Sequence, residues 1–312
     1  MTRISALIPV VLPGGGGGGG FSLPYSVDFS TLGNGPLPSP WIGSTWEISS
    51  GVAINTPTDN EVDIGGAFTE WSDGKPVGWS AVGAGTITED PADHARLQEK
   101  ILYRAVPCDN RWVRFGMECT AAGSGSASLQ WEWVEQHSFT APEVWLSPAR
   151  RVELTDMALS VEAGAGEDLT FDNARLFYLT GIFACLPESG ATDVSVEVDF
   201  NAVANKWLGV VARADSTSAP TNYILGTISN GGSYMCKLYK CVDGVYTEIG
   251  SHSGAASGVL KLTCDGTSVE LYLDESLKAS ATVDEVTINS NTIHGMFSIG
   301  GDSLDSFSCT SI

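Results

Sequence analysis

Leu260-Lys261-Leu262-Thr263-Cys264-Asp265-Gly266-Thr267-Ser268-Val269-Glu270-Leu271-Tyr272-Leu273 decides the fold class. Apolar residues at 260, 262 and 264 alternate with Lys261 and Thr263. Asp265-Gly266 interrupts the run, and Val269, Leu271 and Leu273 then alternate again. A period of two turns one face of a strand to a core and the other to water, and Asp-Gly between two such runs is a strong hairpin signal. The pattern recurs at 238–242, Asp243-Gly244 and 245–249. Val194, Val196, Val198 and Phe200 likewise alternate with Ser195, Glu197 and Asp199. Few windows carry a 3.6-residue apolar period, so the chain reads as all-β.

Composition agrees. The 312 residues suit two domains of about 150 residues each, and 43% hydrophobic residues, 17% charged residues and 36 Gly favour turn-rich sandwiches over helical bundles. Acidic residues outnumber basic ones 37 to 16, a formal net charge of -21. Such a field repels phosphate backbones, so no nucleic-acid partner is expected. It is compatible with neutral sugars, bound cations or a soluble particle surface, and equally with solubility alone.

Seven cysteines, at 108, 119, 185, 236, 241, 264 and 309, form no Cys-x-x-Cys pair, and His94, His137, His252 and His294 do not cluster with them. This excludes a zinc knuckle. The thiols read as small buried apolar groups in a reducing cytoplasm, with disulfide pairing left open.

The apolar run 4–12 is broken by Pro9 and followed by Pro13 and seven glycines at 14–20. It lacks the uninterrupted core of a signal peptide and is too short to span a bilayer, so no membrane span is expected. One reading is an extended anchor, with Ile4, Leu7, Ile8, Val10 and Val11 docking on another subunit and the glycines as tether. The other is that the peptide packs on its own domain.

Asp28-Phe29-Ser30, Trp41 and the run from Trp46-Glu47-Ile48 to Asn55 resemble the opening of concanavalin-A-like (laminin-G-like) jelly rolls. The rest of such a module resumes only near Asp193. Ser195-Val196-Glu197-Val198, Trp207 to Arg213, Asn222-Tyr223-Ile224-Leu225, the two Asp-Gly hairpins, His294-Gly295 and Ser306-Phe307-Ser308 follow in the family's order. Between lie Gly65 to Trp71, Pro76-Val77-Gly78-Trp79, Leu102 to Pro107, Trp112-Val113-Arg114-Phe115 and Leu169 to Leu176. These resemble carbohydrate-binding modules with the galactose-binding-like jelly roll. The resemblances imply two β-sandwich jelly rolls, one inserted into the other, with an extended N-terminal arm. Residues 21–58 plus 180–312 would be the host and 59–179 the guest. Insertion requires the guest's ends to lie together, so Pro57-Thr58 and Thr180-Gly181 are expected side by side.

Sugar-binding modules stack aromatic rings on pyranose faces and fix hydroxyls with amides and charges. Leu129, Trp131, Trp133 and Glu135 are expected on one strand face. If that face is open, Trp131 and Trp133 are the stacking candidates, with Gln136 and Trp145 nearby; otherwise both tryptophans fill the core. Trp46, Trp79 and Trp112 are assigned to cores. No cofactor is required, but the resemblance implies a structural Ca²⁺ in the guest, for which Asp63 and Asp172 stand at matching places, against solvated carboxylates as the alternative.

Concanavalin-like jelly rolls include glucanases, whose nucleophile and acid carboxylates sit about 5 Å apart. Glu197 and Asp199 share a face but no third carboxylate follows, and the pair reads as the exposed face of an edge or outer strand. Neither a Gly-x-Ser-x-Gly elbow nor a phosphate loop occurs. No catalysis is expected. The split module with its insert resembles structural proteins of tailed bacteriophages. That resemblance implies a virion surface protein (head fibre, decoration protein or tail fibre) assembled in the host cytoplasm. Residues 1–20 would dock on other virion proteins, the chains would form a homo-oligomer, and cell-surface glycans would be ligands. A stand-alone bacterial sugar-binding module or adhesin is the alternative, and a glycan hydrolase a third.

Overall fold

The computed structural model describes residues 21–312 apart from 63, 65–69, 74, 83–85, 91–93, 99–100, 108–110, 123–126, 132–134, 140–142, 148–149, 152–155, 164–167, 204–205 and 231–232. The anchor candidates Ile4, Leu7, Ile8, Val10 and Val11 lie outside the described residues, as do Asp63 and Trp133.

The chain divides into two compact units: one runs through Pro57 and continues at Gly181–Ile312, the other is Thr58–Thr180. In the first, a nine-stranded antiparallel sheet runs Gly35–Pro36, Trp46–Ser49, Val52–Asn55, Ser303–Ser311, Val194–Asn201, Ser257–Asp265, Ser268–Leu273, Ser276–Thr282, with Tyr25–Asp28 also on Ser303–Ser311. A six-stranded sheet runs Phe183–Cys185, Ile293–Ser298, Trp207–Ala214, Tyr223–Asn230, Tyr234–Val242, Val245–Ser253. Ala53 faces Leu304 and Tyr25 faces Cys309, so the segments before and after the guest share one sheet.

Alternation builds the core between these sheets. Val194, Val196, Val198 and Phe200 are sealed beneath one sheet, and Leu208, Val210, Ala212, Ile224, Ile228 and Met296 meet them from the other. The hairpins differ in how they spend their Asp-Gly. Val242 pairs with Val245, leaving Asp243 (φ 50°) and Gly244 (φ 80°) as the two turn residues, the left-handed pair that a type I′ turn requires. Asp265, by contrast, pairs with Ser268, so Gly266 (φ 53°) opens that turn and Asp265 belongs to the strand. A third tight hairpin pairs Leu273 with Ser276 through Asp274 and Glu275, both at positive φ without a glycine.

The second unit has a seven-stranded sheet in the order Glu143–Leu146, Trp112–Ala122, Asp168–Thr180, His94–Gln98, Thr86–Asp90, with Arg150–Arg151 and Thr58–Val62 joined at its side. A five-stranded sheet runs Glu135–Phe139, Ala127–Trp131, Asp156–Ala163, Ile101–Pro107, Ser80–Val82. Trp46, Trp79 and Trp112 are all buried, the first in the host and the others in the guest.

Two sequence expectations are corrected here. Thr58 and Thr180, placed in the host from sequence, are register partners in the guest's sheet and belong to it, because the first and last guest strands pair to their ends. Strand Val194–Asn201 is also not an edge: it lies between Ser303–Ser311 and Ser257–Asp265. Glu197 therefore sits between Ser308 and Lys261 on the sheet's outward face. Partial burial pushes its carboxyl up, opposed by Lys261 and reinforced by Glu275 and Asp199.

Candidate functional site

In the six-stranded sheet the residues not committed to the core point the other way, and they carry a row of aromatic rings. Phe297 lies 5.5 Å from Phe183, Phe183 5.3 Å from Tyr223, Tyr223 5.7 Å from Tyr246, Tyr246 5.9 Å from Tyr239, and Tyr239 6.0 Å from Trp207. The Tyr223 and Tyr246 hydroxyls are in direct hydrogen-bond contact. The row is buried from Phe297 to Tyr239 and reaches solvent at the half-buried Trp207.

The open end is where the chemistry gathers. Leu208, Val210 and Ala212 face the core, so the period of two sends Trp207 outward. Leu238 faces the core from Tyr234–Val242, which turns Lys237 and Tyr239 to Trp207's side. Gly209 and Thr227 occupy the row that leads to Lys237, so no large side chain intervenes. Lys237 Nζ stands 5.7 Å from the Trp207 ring centre and 5.9 Å from that of Tyr239, within cation–π range of both. Glu248 accepts from Lys237 Nζ at 2.9 Å and from the Tyr239 hydroxyl at 3.3 Å. Burial acts to raise the Glu248 carboxyl, but the hydrogen bonds from Lys237, Ser251 and Tyr239 and the Lys237 charge outweigh it and hold it below the usual carboxylate value. An aromatic face thus lies beside a fixed donor and a fixed ionised acceptor.

The candidates named from sequence fall differently. Trp131 and Gln136 belong to paired strands of the guest's five-stranded sheet, where Gln136 faces Gln130. Trp145 is in the other sheet, opposite Met117, so the structure does not bring these strand positions together in one sheet. The expected single strand from Leu129 through Glu135 is also corrected to two: Trp131 and Glu135 are register partners on the antiparallel strands Ala127–Trp131 and Glu135–Phe139. Asp172 faces Glu118 in the seven-stranded sheet. Among the described residues no group of three or more His, Cys, Asp or Glu converges to hold a metal, and no helix is long and apolar enough to cross a membrane.

Trp207 was visible in the sequence only as a strand residue. Its partners Lys237, Tyr239 and Glu248 come from two later strands, and no local motif joins them.

No family model matches the chain, and no curated protein matches it. Several solved structures do. The carbohydrate-binding module CBM66 from Bacillus subtilis is 19% identical over 41% of this chain and 78% of its own, with a TM-score of 0.31. LamAcat from Zobellia galactanivorans is 9% identical over 93% and 98%, with a TM-score of 0.37. The CBM2 module of the Lactobacillus casei BL23 phage J-1 evolved Dit is 7% identical over 81% and 96%, with a TM-score of 0.22. Likeness at this level carries no argument about what the chain binds.

Proposed function

We propose that this protein binds neutral glycans without cleaving them, at the surface centred on Trp207. The observation that carries the reading is the grouping of Trp207, Lys237 and Glu248. The indole offers an apolar face for pyranose C–H groups, while the ammonium donates to one hydroxyl and the carboxylate accepts from its neighbour. Binding is favoured over cleavage because glycoside hydrolysis needs a carboxyl held protonated as general acid. Glu248 is held in the opposite direction. A glycan array probed with the full chain tests this. Retention of neutral oligosaccharides supports the reading. Release of reducing ends from a retained glycan would show an enzyme instead.

The setting we assign is the surface of a virus particle, with residues 1–20 docked on other virion proteins and the chain in a homo-oligomer. This rests on the apolar run, its glycine tether and the resemblance to phage structural proteins. Deletion of residues 1–20 is expected to abolish incorporation into particles while leaving the array profile intact. Unchanged incorporation would favour a free-standing adhesin.

A further inference from the structure

We propose that the edge of the guest unit's seven-stranded sheet, at Glu143–Leu146, receives the apolar arm of a second copy of this chain. The inference rests on the reading of residues 1–20 as a docking arm and names the surface on which it docks.

Strand Glu143–Leu146 ends its sheet: one flank pairs with Trp112–Ala122, and among the described residues no strand pairs with the other. A bare strand edge is a template for one more strand. The side chains it turns outward are apolar, with Val144 77% and Leu146 44% exposed. Leu146 pairs with Gly116, and where the glycine leaves room a cavity of about 160 Å³ opens beside the edge, lined chiefly by Gly116, Met117, Val144, Leu146 and Phe177. An apolar cavity of about 150 Å³ takes a benzene-sized group, so this one takes one aliphatic side chain.

The arm matches that edge. Ile4, Ala6, Ile8, Val10 and Leu12 alternate with Arg3, Ser5, Leu7, Pro9 and Val11, so an extended arm presents one wholly aliphatic face. In a strand, residues of one parity also share a hydrogen-bonding direction. With the even-numbered residues bonded to Glu143–Leu146, Pro9 falls where its missing N–H points away from the partner. The same proline blunts the outer edge, so no further arm adds to the first. Each chain gives one arm and takes one, which joins copies into a closed dimer or ring.

Charge favours this occupant. All 37 acidic residues lie from Asp28 onward, and Arg3 is the only charged residue before it. The acidic bodies of two copies repel each other, while an arm whose only charge is positive is drawn to its neighbour. Seven glycines reach about 24 Å when extended, which frees the arm to leave its own chain.

Sedimentation velocity on the full chain, with no other protein present, tests this. The unaltered chain is expected to run as an oligomer. Deletion of residues 1–12 and, separately, Val144→Asp should each bring the mass down to that of one chain; the substitution alters an exposed side chain and leaves the core alone. Mixed together, the two variants should form one-to-one complexes, since one keeps the edge and the other keeps the arm. A monomeric unaltered chain would overturn the inference, and the docking-arm reading would still stand if particle incorporation needs residues 1–20. An oligomer that survives either change would overturn it too, as would a mixture that stays monomeric.

Discussion

Asn55 and Gly181 are 126 residues apart, and the Asn55 amide donates to the Gly181 carbonyl at 3.0 Å. The same nitrogen donates to the Ser298 carbonyl at 2.7 Å, and Thr45 Oγ1 reaches Gly181 at 2.6 Å. Asn55 is 3% exposed. The two ends of the interrupted host sandwich are thus tied by one buried side chain.

Asn55→Ala leaves the buried Ser298 carbonyl without this donor. A cost of about 1–3 kcal/mol is expected for the host unit. Urea titration followed by hydrogen exchange at residues 181–186 should show the loss centred on the junction. Asn55→Asp should cost more, because it turns a carboxylate toward two carbonyls.

His294 gives a pH dependence. Its Nδ1 accepts from the Arg213 backbone N–H at 3.2 Å, and its Nε2 lies 3.1 Å from the Ala191 carbonyl, so the buried ring is neutral with its proton on Nε2. Burial lowers its pKa to about 4, with the hydrogen bond to Ala191 opposing and the Arg213 charge assisting. A depressed histidine contributes stability that is present above about 6.5 and is lost as pH falls toward 4. Urea midpoints measured between pH 7.5 and 4.5 should fall less steeply in His294→Gln than in the unaltered chain.

Asp302 has the opposite slope. Burial raises its carboxyl to about 6, against the hydrogen bonds from Val203 and Ser298 and the Lys206 charge. Its Oδ1 accepts from Val203 N–H at 2.8 Å. The protonated form is favoured in the folded chain, so this contribution is full below about 3.8 and is lost as pH rises through 6. Asp302→Asn keeps the Val203 acceptor and removes the buried charge. It is expected to raise stability at pH 7.5, by about 1–3 kcal/mol, and to leave it unchanged near pH 4. A drop at pH 7.5 would mean that the charge is better solvated than its burial implies.

The thiols should be inert in the native chain. Cys119, Cys185, Cys236, Cys241, Cys264 and Cys309 are buried thiols outside any disulfide. Burial pushes Cys185, Cys264 and Cys309 up to about 12 and Cys236 to about 11. A colorimetric thiol reagent at pH 8 should modify at most one of the seven cysteines before denaturant is added and all seven afterwards. Rapid reaction of several native thiols would contradict their burial.

The two alternating hairpins were legible because their information is local: a period of two and a turn residue suffice. The joining of 46–55 to the C-terminal half was legible through the order of motifs. The turn at Asp274-Glu275 was not, since neither residue signals positive φ and the neighbouring strands impose it. The separation of Ala127–Trp131 from Glu135–Phe139 as two strands was missed as well. So was the interior position of Glu197, because alternation gives a strand's faces but not its neighbours. Trp207 could be read as outward-facing, yet its value lies in Lys237 and Glu248, which only the folded register brings to it.

The most direct test takes the neutral oligosaccharide best retained on the array and titrates it calorimetrically into the unaltered chain and Trp207→Ala. Stacking on an aromatic ring contributes about 1–3 kcal/mol, so Kd for that oligosaccharide should rise by about 5- to 150-fold, with Glu248→Gln weakening binding to a smaller degree. An unchanged Kd in Trp207→Ala would contradict the account.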